Sequence, residues 1–195
     1  MFKKVVLLAV LALALPFAAF ADSSIDIGNA GGTITGNASG LSLSGSTLWK
    51  VGSAVGSNLG TLTFTTGAFT TGNAQMGGTI APGGTFTITG NGTNGVPNGV
   101  IFSGTFTGEL KWDLTTASNG THTYTLHGAI ADSSGHVAAT SQLTAFTTGK
   151  GFFNGEIGLA SGDTSLSVPE PGTLGLLGTG LVGVAGLMRR KLFVK

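Results

Sequence analysis

Cysteine is absent from the 195 residues, tyrosine occurs once and tryptophan twice. Without cysteine there is no disulfide scaffold, no thiol nucleophile and no zinc site built on thiolates. Charge is equally sparse, with nine basic and eight acidic side chains giving a net charge of +1. That figure sums three unlike segments. Lys3 and Lys4 give +2, and Glu170, Arg189, Arg190, Lys191 and Lys195 give +3. The stretch between, with seven acids and three lysines, stands at −4. A mildly acidic body with three lysines lacks the electrostatic footprint of a nucleic-acid binder. What the chain has in quantity is glycine, 35 residues, with 28 threonines and 16 serines. Hydrophobic residues still make up 41%, too many for a disordered polar tail.

The two ends read as addresses. Lys3 and Lys4 form a positive n-region, residues 5–20 are apolar apart from Pro16, and Ala19 and Ala21 flank Phe20. Small residues at the −3 and −1 positions are what signal peptidase requires, so 1–21 reads as a secretory signal peptide cleaved before Asp22. The competing reading, a transmembrane anchor, fits less well because the run is short and ends in a cleavage pattern. Export through the Sec machinery follows.

At the other end, Val168, Pro169, Glu170 and Pro171 make a rigid extended stretch, because each proline fixes its own φ and disfavours helix in the residue before it. Residues 172–188 follow without a charge, and as a helix they span about 25 Å, close to a hydrocarbon core of about 30 Å. Arg189, Arg190 and Lys191 then form a stop-transfer cluster that stays cytoplasmic. These three parts in order resemble the PEP-CTERM sorting signal of Gram-negative surface proteins, over 168–195 together with the signal peptide. The short extension of Leu192, Phe193, Val194 and Lys195 is a minor departure. The resemblance implies recognition by an exosortase, a membrane protease-transpeptidase. It also implies residence in the cell envelope, on the cell surface or in the extracellular matrix, membrane-anchored at least transiently, with exopolysaccharide or biofilm matrix as a partner. It says nothing about residues 22–167.

That body has a period of two. Leu62 and Phe64 alternate with Thr61, Thr63 and Thr65, and Phe86 and Ile88 with Thr85, Thr87 and Thr89. Apolar-in, Thr-out alternation is the pattern of half-buried strands. With Gly and Asn punctuation throughout, the expected fold is all-β, an antiparallel β-sandwich or jelly-roll-like body, flanked by the N-terminal signal helix and a C-terminal transmembrane helix. The glycine- and serine-rich stretch 28–45 is expected to give short or frayed strands. Around Asn119 and Gly120, a two-residue turn would set Trp112 opposite His127 and put the apolar sets on opposite faces. A three-residue loop of Ser118, Asn119 and Gly120, with Gly120 left-handed, sets Trp112 opposite Leu126 and Leu114 opposite Tyr124. That register is the one expected.

Residues that carry chemistry elsewhere find plainer roles here. Gly90, Gly92 and Gly95 match G-x-G-x-x-G, but the turn-forming Val96 and Pro97 follow where a phosphate-binding helix should start. His122 and His127, five apart on a strand, point to opposite faces, and His136 follows a turn, so no metal centre is expected. Asp132 and Asp163 read as turn formers, without the spacing of a calcium loop. Glu109 and Asp113 flank Lys111 on a solvated strand face, a poor fit to a hydrolase pair. Thr-x-Thr runs resemble the ice-binding face of solenoids but lack their fixed period, and strand faces in water explain them. Neither a cofactor nor an enzymatic activity is expected. The expected role is structural or adhesive; the alternative is a secreted glycan-binding module, which needs Trp49 and a second aromatic exposed on one face.

Overall fold

In the computed structural model, residues 23–168 are described, apart from positions 134, 136 and 148. Among them every regular element is a strand. β1 (Ser23–Ala30) and β2 (Thr33–Asn37) run as one long strand, since both pair with β3 (Gly40–Val51) in nearly one register, Ala30 opposite Thr47 and Thr33 opposite Ser44. Gly31 and Gly32 bend it at φ of +70° and +82°. A Cβ at Gly32 would lie 2.5 Å from the Ser44 carbonyl oxygen, so the bend admits no side chain. The short β4 (Ala54–Val55) folds back on the end of β3.

β5 (Gly60–Thr66) and β6 (Phe69–Asn73) pair with β7 (Gly77–Ile80) and β8 (Gly83–Asn91) as one long hairpin, from Gly60 opposite Gly90 to Asn73 opposite Gly77. β9 (Asn98–Thr116) runs for 19 residues, taking β8 and then β7 on one edge and β10 (His122–Ala131) on the other. β11 (Val137–Phe146) and β12 (Glu156–Val168) follow, and β12 returns to β1 and β2. Each long strand thus pairs with its neighbours in sequence, and the last pairs with the first. The result is an eight-stranded antiparallel barrel, with the two-residue β4 as an extra strand on β3.

This corrects the expected sandwich or jelly roll. Period-two patterning says which face of a strand is apolar; it does not say whether that face meets a second sheet or the far wall of its own. β9, hydrogen-bonded on both edges, and β12, returning to β1, leave one coiled sheet and no Greek-key crossover. The glycine-rich start of the body is likewise not frayed. β3 is 12 residues long, and Ile27, Ile34, Leu41 and Leu43 are all buried, which secures the backbone on both sides of the Gly31–Gly32 bend. The expected terminal helices lie outside the described residues. Among the described residues no helix is long and apolar enough to cross a membrane.

Eight strands leave an interior that side chains can fill. Phe106 meets Phe64 and Phe86 edge-on at 5.8 Å and 5.6 Å, and Leu62, Ile88, Leu110 and Ile130 are fully buried around them. Near one end Trp112 stacks on Tyr124 at 5.2 Å, with Phe153 edge-on to both. Each such side chain contributes about 1.5–3 kcal/mol by leaving water. The polar tips of the pair are satisfied there. Trp112 Nε1 donates to the Ala74 carbonyl at 2.8 Å, and the Tyr124 hydroxyl donates to the Gln75 carbonyl at 2.6 Å while accepting from Phe153 N–H at 3.0 Å. The β6–β7 turn and the β11–β12 loop are thereby pinned over that end. Trp112 faces Leu126 and Tyr124 faces Leu114, the expected register. Its loop is as expected too, with Ala117 N–H donating to Thr121 O and Gly120 at φ +83°.

Candidate functional site

The residues with the strongest functional signal in the sequence are terminal. β12 extends to Val168. Pro169, Glu170, Pro171, Arg189, Arg190 and Lys191, like Ala19 and Ala21 of the cleavage pattern, lie outside the described residues.

Within the barrel, the sequence candidates for chemistry divide: Glu109, His127 and Asp163 come to line one shallow outer groove with Lys111, whereas His122 and the glycines at 90, 92 and 95 do not line it. The glycines at 90, 92 and 95 close β8 and lead through a turn, with Val96 N–H on Thr93 O, directly into β9. His122 is buried and its Nδ1 shares a hydrogen bond with Thr116 Oγ1 at 2.9 Å, whereas His127 is exposed on the outer face. Opposite facing is what their spacing predicts, while His136 lies outside the described residues. Glu109, Lys111 and Asp113 all stand in solvent along β9. No group of three His, Asp or Glu that could hold a metal ion occurs among the described residues. Asp132 does sit in a turn, accepting from Gly135 N–H at 3.0 Å.

Asp163 does not. It lies in the middle of β12, opposite Gln142, and completes a polar row across the barrel wall in which Lys111 faces His127 and His127 faces Gln142. The shallow outer groove, of about 500 Å³, runs along these residues. The row ends in a cluster of Asp163, Asp26 and Lys50, with Lys50 ion-paired to Asp26. The Lys50 ammonium, and then a hydrogen bond from Asp163, hold the Asp26 carboxyl below its ordinary value. The hydrogen bond to Asp26, with burial second, holds Asp163 above it, so the two carboxyls favour one shared proton. Serine, glycine and threonine around Asp163 suggest a turn by composition. The inward positions of Leu159, Thr164 and Leu166 are the countervailing signal, because they make this stretch a strand.

Charge is segregated around the wall. Between Lys50 and Glu109 the chain carries no charged side chain, and this stretch supplies all of β5 to β8. There Thr61, Thr63 and Thr65 face Thr89, Thr87 and Thr85 in register, and Thr65 and Thr85 join hydroxyls at 3.0 Å. One flank of the barrel is a neutral hydroxyl surface and the other a charged one.

The aromatic residues divide in the same way. Trp112 and Tyr124 are buried, as their strand faces predict. Trp49 is 45% exposed, lies over Gly28 and makes no ring contact among the described residues. Two residues that sequence reasoning passed over are the exposed Phe146, at the end of β11, and Phe152, in the β11–β12 loop. Together with Asn154, Glu156 and Thr33 they line a groove of about 310 Å³. A signal was available, since the Phe152–Phe153 pair sits among glycine, lysine and asparagine, where a solvated loop has no use for two phenyl rings. One of the two, Phe153, enters the core, and the other remains outside.

No curated protein and no solved structure matches the chain. The PEP-CTERM protein-sorting motif matches residues 167–191, so the C-terminal segment carries the signal of an exosortase-targeted protein exported to the surface of the cell envelope.

Proposed function

We propose that the barrel is the cargo of this address: a non-catalytic structural or adhesive module of a Gram-negative cell surface or biofilm matrix. On this reading the signal peptide delivers the chain across the inner membrane through the Sec machinery. The tail helix holds it there, at least transiently, until an exosortase acts. The observation that carries the reading is the pairing of the sorting motif at 167–191 with a body whose interior is filled by side chains and whose charged groups lie on its outer wall. An enzyme acting on a small substrate needs convergent groups in a sheltered cleft; an adhesive module needs a stable scaffold and a broad outer surface. The filled interior and the broad, charged outer wall support the adhesive module of the two.

A second reading, glycan binding, draws support from the groove beside Phe146 and Phe152. The test of the role is attachment. A native-host strain deleted for the chain should lose surface attachment or matrix cohesion, and the full chain should restore it. A chain ending at Ser167 should be released into the periplasm or medium and fail to restore it. Full rescue by the truncated chain, or normal attachment in the deletion strain, would count against the proposal.

A further inference from the structure

Two phenyl rings stand in solvent on a barrel that otherwise turns mostly Thr and Ser outward: Phe146 is 54% exposed and Phe152 is 43% exposed. A single exposed ring on a loose loop is ordinary. These two line one groove, and the loop that carries Phe152 is fastened. The ring of Phe152 stacks on that of His122, centroids 4.0 Å apart and planes 20° apart. His122 is itself buried and tied to Thr116. Phe153, next to Phe152 in sequence, is sunk in the core with its N–H on the Tyr124 hydroxyl. At the foot of the loop Thr147 N–H donates to His122 O at 3.0 Å, and His122 N–H donates to Thr147 Oγ1 at 3.2 Å. The exposed ring is therefore held in place before any ligand arrives, which removes much of the ordering cost of binding.

The chemistry around the rings selects the ligand. Flat apolar faces beside the Asn154 amide, the Glu156 carboxylate and the Thr33 hydroxyl suit a pyranose, whose C–H face stacks on a ring while its hydroxyls bond to amide and carboxylate. Glu156 is the only charged residue lining the groove among the described residues. The loop's lysine, Lys150, lies instead against Gly120 at the β9–β10 turn. A groove with one carboxylate and no cation disfavours acidic sugars. We infer that the Phe146–Phe152 groove is a binding site for a neutral glycan, of hexose or N-acetylhexosamine units. The inference rests on the reading of the barrel as a surface-displayed binding module, and it names the ligand class and the residues.

The test is affinity electrophoresis of the full-length protein in mild detergent, in native gels containing a soluble glucan, glycol chitin or alginate. Retardation is expected with at least one of the two neutral polymers and not with alginate. Phe146→Ala and Phe152→Ala should each weaken it by about tenfold or more, and Phe152→Trp should retain it. Near-ultraviolet circular dichroism from the buried Trp112–Tyr124 stack reports whether each variant is folded, and the Trp variant keeps the test decisive if an Ala variant is not. Three results would overturn the site: no retardation by either neutral polymer, equal retardation of wild type and folded Ala variants, or retardation by alginate alone. Loss of a concentration-dependent dimer in the Ala variants, without any glycan effect, would give the groove to a second copy instead. A protein that binds glucan but keeps its tail would overturn the sorting reading alone, whereas a processed protein that binds neither polymer would overturn only this site.

Discussion

The Tyr124 hydroxyl donates to the Gln75 carbonyl, 49 residues away, at 2.6 Å. The same oxygen accepts the Phe153 N–H at 3.0 Å, so one phenol ties the β6–β7 turn to the β11–β12 loop. Tyr124→Phe keeps the stack on Trp112 and leaves a buried N–H without its acceptor and a carbonyl without its donor. The expected cost is about 1–3 kcal/mol, read as a lower denaturant midpoint with unchanged slope. Amide exchange at Phe153 should accelerate by more than at Leu126. Uniform acceleration across the barrel would mean that the two segments are held by something else.

Gly31 and Gly32 have similar left-handed φ values and different surroundings. A Cβ at Gly31 meets nothing within 4 Å, whereas one at Gly32 meets the backbone of Ser44, Gly45 and Ser46. Gly31→Ala should therefore cost only the conformational penalty, about 1–2 kcal/mol. Gly32→Ala adds a steric clash with the backbone of β3 and should cost more, as thermal unfolding would register. Equal losses would show that the bend tolerates a side chain facing β3.

The Asp26–Asp163–Lys50 cluster makes stability depend on pH in opposite senses at its two carboxyls. Asp26, lowered by Lys50 and Asp163, stabilises the fold above its unfolded value, and that contribution is lost as pH falls through its folded value. Asp163, raised chiefly by Asp26, contributes while it holds its proton, and that contribution is lost as pH rises through its folded value. Asp163→Asn keeps a donor to Asp26 at every pH. At pH well above the ordinary carboxylate range the variant should equal or exceed wild type by up to about 1 kcal/mol, modest because the cluster is in contact with solvent, and well below that range the difference should vanish. Melting temperatures across that range check it, and an Asp163→Asn protein less stable than wild type at neutral pH would contradict the shared proton.

Much of this barrel was legible locally and little of it globally. The positions of Trp112, Leu114, Tyr124 and Leu126 left one register compatible with a single apolar face, and Gly120 supplied the left-handed residue that its loop requires. Closure depends on β12 meeting β1 across most of the chain, and no local period encodes a partner that distant. The site followed the same division. The sorting motif is a run of adjacent residues and reads directly from the sequence. The groove draws Thr33, Phe146, Phe152 and Glu156 from three strands and a loop, and it exists only once the barrel has closed.

The central claim, that the barrel is delivered to the surface and the tail serves as its address, is tested most directly by the intact mass of the mature protein from membrane, periplasmic and extracellular fractions of the native host. The account predicts a species beginning at Asp22 and ending between Pro169 and Pro171, with or without an added group, in the surface or extracellular fraction. A species that begins at Asp22, retains Lys195 and occurs only in membranes would contradict it, and would make the C-terminal segment a permanent anchor.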